Sequence, residues 1–195
     1  MSKISSENDV KVSFQAKSIC YNYDMESPSP RFGTVSHLLE LAAQGERFFE
    51  SFYQRVAARF SHHPEIEKFW MDYAAEENEH ARWVEDLRQR VPVEILNSPA
   101  DPQVLADAEH SLSVPMDNLL HSIRTLQDAF EVANELEHSE TNQVIEFLIS
   151  HFSEDEQARA FLRTQLHEHI ERLMIQFPRQ YGTGSLRRGI NALDS

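Results

Sequence analysis

The 195-residue chain has a single cysteine, Cys20. One cysteine excludes an intramolecular disulfide framework and any cysteine-rich zinc or iron–sulfur site built within the chain, and it accords with a reducing, cytoplasmic setting. Long apolar runs are missing too: no stretch approaches about 18 uninterrupted apolar residues, so no membrane span is expected. The opening "MSKISSENDVKVSFQAKS" lacks the apolar core of a secretory signal. Basic residues number 18 against 32 acidic ones, a net charge of −14. Such a surface repels nucleic-acid phosphates and anionic membranes, so neither is expected as a partner. Glycine is scarce, at five residues, while Glu, Gln, Ala, Leu and Arg are plentiful. That mix favours helices over sheets, and the length suits one domain with tails.

Residues 1–33 are polar, lack a helical period and end in "MESPSPRF", where two prolines stop any helix. They read as a flexible N-terminal arm. Helix A is expected from about 35 to 60, with Thr34 or Ser36 as its cap. Its inward positions are Leu39, Ala42, Glu46, Phe49, Tyr53, Val56 and Phe60, spaced as a packed helix face requires. "SHHPE" breaks the chain, and Pro64 suits the first turn of helix B, from about 64 to 90. Its face is Ile66, Trp70 or Phe69, Tyr73, Glu77, His80, Val84 and Leu87. Residues 91–114, rich in Pro, Asp and Ser, form a long connection with a short helix near 102–110.

Helix C is expected from about 115 to 151, its face carrying Leu119, Ile123, Leu126, Phe130, Ala133, Glu137, Glu140, Val144 and Phe147. After "SHFSEDE", with Ser153 as cap and Glu156 as its partner three residues on, helix D runs from about 154 to 177. Its face is Ala158, Leu162, Leu166, His169, Leu173 and Phe177, and Pro178 ends it. Residues 34–178 thus form the folded domain and 179–195 a mobile tail. Short A–B and C–D loops make antiparallel neighbours. The expected fold is an all-α four-helix bundle, two antiparallel hairpins joined by a long crossover. The halves also align: Glu46 falls over Glu137 and His80 over His169, as in a duplicated helix pair.

Six ionisable residues fall on these apolar faces: Glu46, Glu77, His80, Glu137, Glu140 and His169. They come from all four helices and lie near the middle of each, so the registers can meet in one layer. Burying ionised carboxylates together is costly, and no Arg or Lys shares the faces to compensate. Two divalent cations would balance four carboxylates, with two neutral imidazoles completing the shell. A carboxylate-rich site with two histidines suits iron or manganese, with zinc a further option. The competing reading is a metal-free layer of protonated or water-bridged groups. Glu135 and His138 repeat the E-x-x-H spacing but lie off the face. Tyr53 and Tyr73 share the faces; the simpler role for each is to fill space and find an acceptor.

The Glu of helix A, the E-x-x-H of helix B and their recurrence in the second hairpin resemble the ferritin-like superfamily, rubrerythrins most of all, over residues 34–178. The resemblance implies a four-helix bundle with a carboxylate-bridged di-iron site that oxidises ferrous iron or reduces peroxide or oxygen. It implies Glu46 as the helix A ligand, Glu77 and His80 as the helix B pair, Glu137 and Glu140 as the E-x-x-E of helix C, and His169 as the helix D histidine. Hairpins of this family often pair, so a homodimer or larger homo-oligomer is expected. Two features depart from the pattern. Leu166 stands where helix D should carry a Glu, which puts the second metal in question and leaves one metal near Glu46, Glu77 and His80 as an alternative. The cysteine-rich electron-transfer module is missing, so a peroxidase would need an external electron donor. The tail segment "GTGSLRR" is similar to targeting peptides that lead cargo into encapsulin shells, which makes such a shell a candidate partner. A non-enzymatic bundle that uses its surface or tails for a partner is the rival, and Leu166 is its best support.

Overall fold

A computed structural model describes residues 33–138, 140–153 and 155–181. The predicted arm up to residue 32 and the tail from residue 182, with its "GTGSLRR" segment, lie outside the described residues. Those described are helical, with no strand among them beyond an isolated bridge between Thr34 and Pro99. None of the described helices is long and apolar enough to cross a membrane.

Helix α1 spans Val35–Arg59 and α2 spans Pro64–Arg90, close to the predicted A and B. Of the two caps considered, Thr34 serves: its hydroxyl accepts from the His37 N–H at 3.3 Å. Gly33, placed in the arm by sequence, takes the left-handed φ of 79° that glycine adopts without strain, and its carbonyl accepts from Ala100 N–H at 3.0 Å. The connection holds two helices, α3 (Val93–Leu96) and α4 (Pro102–Ser111). Asp101 caps α4, which packs on α1 and buries Ala108.

The single helix C does not form. The chain makes three helices instead: α5 (Met116–Ser122), α6 (Leu126–Glu137) and α7 (Glu140–Phe152). The first break follows from Thr125 and Asp128. Thr125 Oγ1 accepts from the Asp128 N–H at 3.1 Å while Asp128 accepts from Thr125 N–H at 2.8 Å, a reciprocal start for a new helix. The carbonyls freed at Leu120 and Ile123 accept from the Arg59 guanidinium. The second break lies at His138, where the freed carbonyl of Glu137 accepts from the Asn142 side chain.

Helix α8 spans Glu156–Tyr181. Asp155, not Ser153, caps it, accepting from the Ala158 N–H at 2.8 Å. It also runs through Pro178, so residues 179–181 belong to it rather than to the tail. Proline there removes only one backbone bond, to the carbonyl four residues earlier.

The core is two apolar clusters. One holds the second half of α1, the first half of α2, α6 and the end of α8, centred on Phe52, Trp70 and Phe177. The other holds the first half of α1, the second half of α2, α7 and the first part of α8. On each long helix the change from one cluster to the other falls at the polar positions: Glu46 between Ala42 and Phe49, Glu77 between Ala74 and Val84, His169 between Leu166 and Leu173.

Trp70 anchors the first cluster, fully buried and stacked on Tyr53 at 5.7 Å, with no partner for its ring N–H among the described residues. Trp70→Ala is expected to cost about 3–5 kcal/mol in urea unfolding. Trp70→Phe should cost far less, because it also removes a buried donor whose desolvation costs about 1–3 kcal/mol.

Candidate metal centre

Five of the six predicted residues meet between the two clusters. Glu46, Glu77, Glu137 and His169 are buried, at 1%, 2%, 2% and 3% exposure, and these values decide the electrostatics below. His80 is partly buried. Helical geometry sets Glu77 and His80 one turn apart on α2, and His80 Nδ1 lies 3.0 Å from Glu77 Oε2 and 3.4 Å from Glu46 Oε2. The other oxygen of Glu77 faces the opposite way: Oε1 lies 3.1 Å from His169 Nε2, itself 3.0 Å from Glu137 Oε1. Two donor groups result, Glu46–Glu77–His80 and Glu77–Glu137–His169, with Glu77 common to both.

Glu140 was expected one helical turn beyond Glu137. The break at His138 removes that relation, since Glu137 ends α6 and Glu140 begins α7. The Glu140 side chain lies outside the described residues. Leu166 is buried in the second cluster and brings no carboxylate. The second donor group, Glu77, Glu137 and His169, does not include it.

Sequence reasoning missed three supporting residues. Glu76 Oε2 accepts from His169 Nδ1 at 2.8 Å and pairs with the Arg172 guanidinium. That fixes the ring so that Nε2 points at Glu77 and Glu137. Asn142 Nδ2 donates to Glu137 Oε2 at 3.1 Å. The faint signal was position: Glu76 adjoins Glu77, and Arg172 lies one turn beyond His169. Tyr53 does find an acceptor, Glu137 Oε1, at 2.5 Å, and Tyr73 donates to the His169 carbonyl at 3.1 Å.

Burial and the pairing of these groups with one another set the charges here. Burial pushes the Glu46 carboxyl up to about 8; the hydrogen bond to His80 opposes the rise and the neighbouring Glu77 adds to it. Burial opposes the His80 imidazolium as well, but Glu46 and Glu77 outweigh it and hold its pKa up at about 10. His169 is likewise carried well above the usual imidazole value against its burial, by Glu137, Glu77 and Glu76. Glu77 is pulled well below the carboxylate range, since the two histidines overcome its burial. Burial, with Glu137 and Glu77 adding to it, keeps Tyr53 protonated. Without a metal, protons hold the layer together.

Each of the two groups offers donors that could hold a metal ion. Glu46 Oε1 is buried with no hydrogen-bond partner among the described residues, an arrangement costly for a carboxylate oxygen unless something else satisfies it. Three carboxylates and two imidazoles are an oxygen-rich set of the kind that suits iron or manganese. Arg172 pairs with Glu76, and the three buried carboxylates pair with the histidines.

No protein-family model matches the chain, no curated protein is similar to it, and no solved structure matches it. The chemistry of these residues therefore carries the functional reading.

Proposed function

We propose that the chain is a carboxylate-bridged two-metal protein of the helical-bundle type. Within that class, it reads as a ferritin-like, rubrerythrin-like protein that binds two iron ions and oxidises ferrous iron or reduces peroxide or oxygen. The observation that supports this most is the sharing of Glu77: one buried carboxylate faces two donor groups with opposite oxygens. The helices of the described residues, with the long first pair α1–α2 and a polar layer between two apolar clusters, accord with a bundle of two hairpins joined by a crossover.

Two bound iron ions would supply one electron each. The chain's own residues do the positioning. Glu76 holds His169 Nδ1, leaving Nε2 for a metal. Tyr53 and Asn142 each donate to one oxygen of Glu137 and set the plane of that carboxylate at the end of α6. A helix C-terminus disfavours negative charge, so Glu137 gains most from a cation nearby. His80 stands closest to solvent of the five and marks the side from which a small oxidant arrives.

A metal-free structural layer is the alternative, favoured by the imidazolium–carboxylate pairs that already join the groups. The Glu46 oxygen without a partner among the described residues weighs against it. Turnover separates the two. The iron-loaded protein should oxidise added ferrous iron, or consume peroxide, faster than the Glu77→Ala variant; equal rates would refute the enzymatic reading. Glu76→Gln should lower metal affinity by about 10–100-fold through His169 while leaving the helical circular-dichroism signal intact.

A further inference from the structure

A groove of about 740 Å³ lies between α2, α7 and α8, within the range of about 300–1,000 Å³ usual for small-molecule sites. Its two sides differ in chemistry. Trp83, Ile145, Ile149, Leu162 and Leu166 make an apolar wall, and Glu79, Glu168 and Glu171 stand along it as exposed carboxylates. The basic side chains of the lining are each paired with carboxylates: Arg172 with Glu76, His80 with Glu46 and Glu77, and His169 with Glu76, Glu77 and Glu137. His80 and His169 close the inner end.

We propose that this groove binds an amphiphilic cation, a linear alkyl chain carrying an ammonium group. The alkyl chain lies along the Trp83–Ile149–Leu166 wall and the ammonium pairs with Glu79, Glu168 and Glu171. An anionic amphiphile meets three like charges at the same place and is disfavoured. Leu166 acquires a role in this arrangement. A glutamate there, as the resemblance had led us to expect, would put a charge into the apolar wall; leucine completes it. The proposal does not rest on the metal reading, and metal-free protein tests it.

The test is a titration of metal-free, full-length protein with dodecyltrimethylammonium, kept below its micelle concentration and read by the fluorescence of Trp83. A Trp83→Phe variant assigns the signal, and circular dichroism confirms that the helices persist. Saturable one-to-one binding is expected. Affinity should climb roughly fourfold per methylene from the octyl to the dodecyl chain. Dodecyl sulfate should bind at least about tenfold more weakly. Leu162→Gln, at a half-buried wall position, should weaken the dodecyl probe by about tenfold or more. Replacing Glu79, Glu168 and Glu171 by glutamine should abolish the preference for the cation. The same change at Glu94, Glu109 and Glu135, which lie away from the groove, should leave it in place. Binding that falls equally in both triple variants would reduce the effect to net charge and overturn the proposal. So would a lack of saturation, or a dimer that dissociates as the probe binds, which would assign the groove to a second copy of the chain.

Discussion

Replacing Glu77 by alanine is expected to empty both metal positions at once. Elemental analysis of untagged protein reconstituted with ferrous iron should give about two ions per chain for the parent and close to none for the variant. The reason is geometric: Glu77 Oε2 belongs with Glu46 and His80, and Glu77 Oε1 with Glu137 and His169. Glu46→Ala and Glu137→Ala each touch one group only, so each should retain about one ion. That contrast separates a shared carboxylate from two independent sites. Glu77→Gln keeps the volume and removes the charge. Should the alanine variant fold poorly, the glutamine variant carries the same expectation. One ion retained in Glu77→Ala would mean that the bridge is not essential.

Metal binding should also reverse the pH dependence of stability. In the metal-free protein, His80 has its pKa raised to about 10, so its contribution is fully present below about 6.5 and lost as pH rises through 10. Glu46, raised to about 8 by burial, favours the folded state below its unfolded value near 4.5, and that preference fades as pH rises through 8. Glu77, lowered, contributes above about 4.5 and loses its contribution as pH falls. Stability of the metal-free form should therefore decline between pH 7 and 10. Ligands must shed their protons to bind metal, so metal affinity rises over the lower part of that range. At free metal about 1,000 times the dissociation constant, each site adds about 4 kcal/mol. For a domain of this size that corresponds to a melting-temperature gain on the order of 10 °C per site. Calorimetry at pH 6.5 and 8.5, with and without ferrous iron under anaerobic conditions, should show a larger gain at the higher pH. An equal gain at both would contradict the protonated layer.

The buried faces of α1 and α2 were legible because apolar residues recur at helical spacing on both sides of Glu46 and of Glu77 and His80. Every inward position predicted for α1 is buried, Glu46 included. The same reasoning failed for helix C, and the cause is instructive. Apolar periodicity continued in phase across Thr125 and His138, whereas the backbone obeyed local hydrogen bonding. Thr125 and Asp128 were a visible start signal, three residues apart, but the apolar pattern masked it. The break at His138 depends on Asn142 reaching back to Glu137, a contact with no sequence signature. The centre divided in the same way. Glu46, Glu77, His80, Glu137 and His169 were recognisable as polar residues where apolar ones belong. Glu76 and Arg172 were not, because residues one step off a helix face look like ordinary surface charges until α8 is placed beside α2.

The central claim is that Glu77 bridges two metals, and iron K-edge X-ray absorption on the iron-loaded protein tests it most directly. A bridged pair predicts a metal–metal scattering path at about 3.5–4 Å and a first shell dominated by oxygen with a minority of nitrogen. A first shell of that kind with no metal–metal path, at a loading of two ions per chain, would contradict the account.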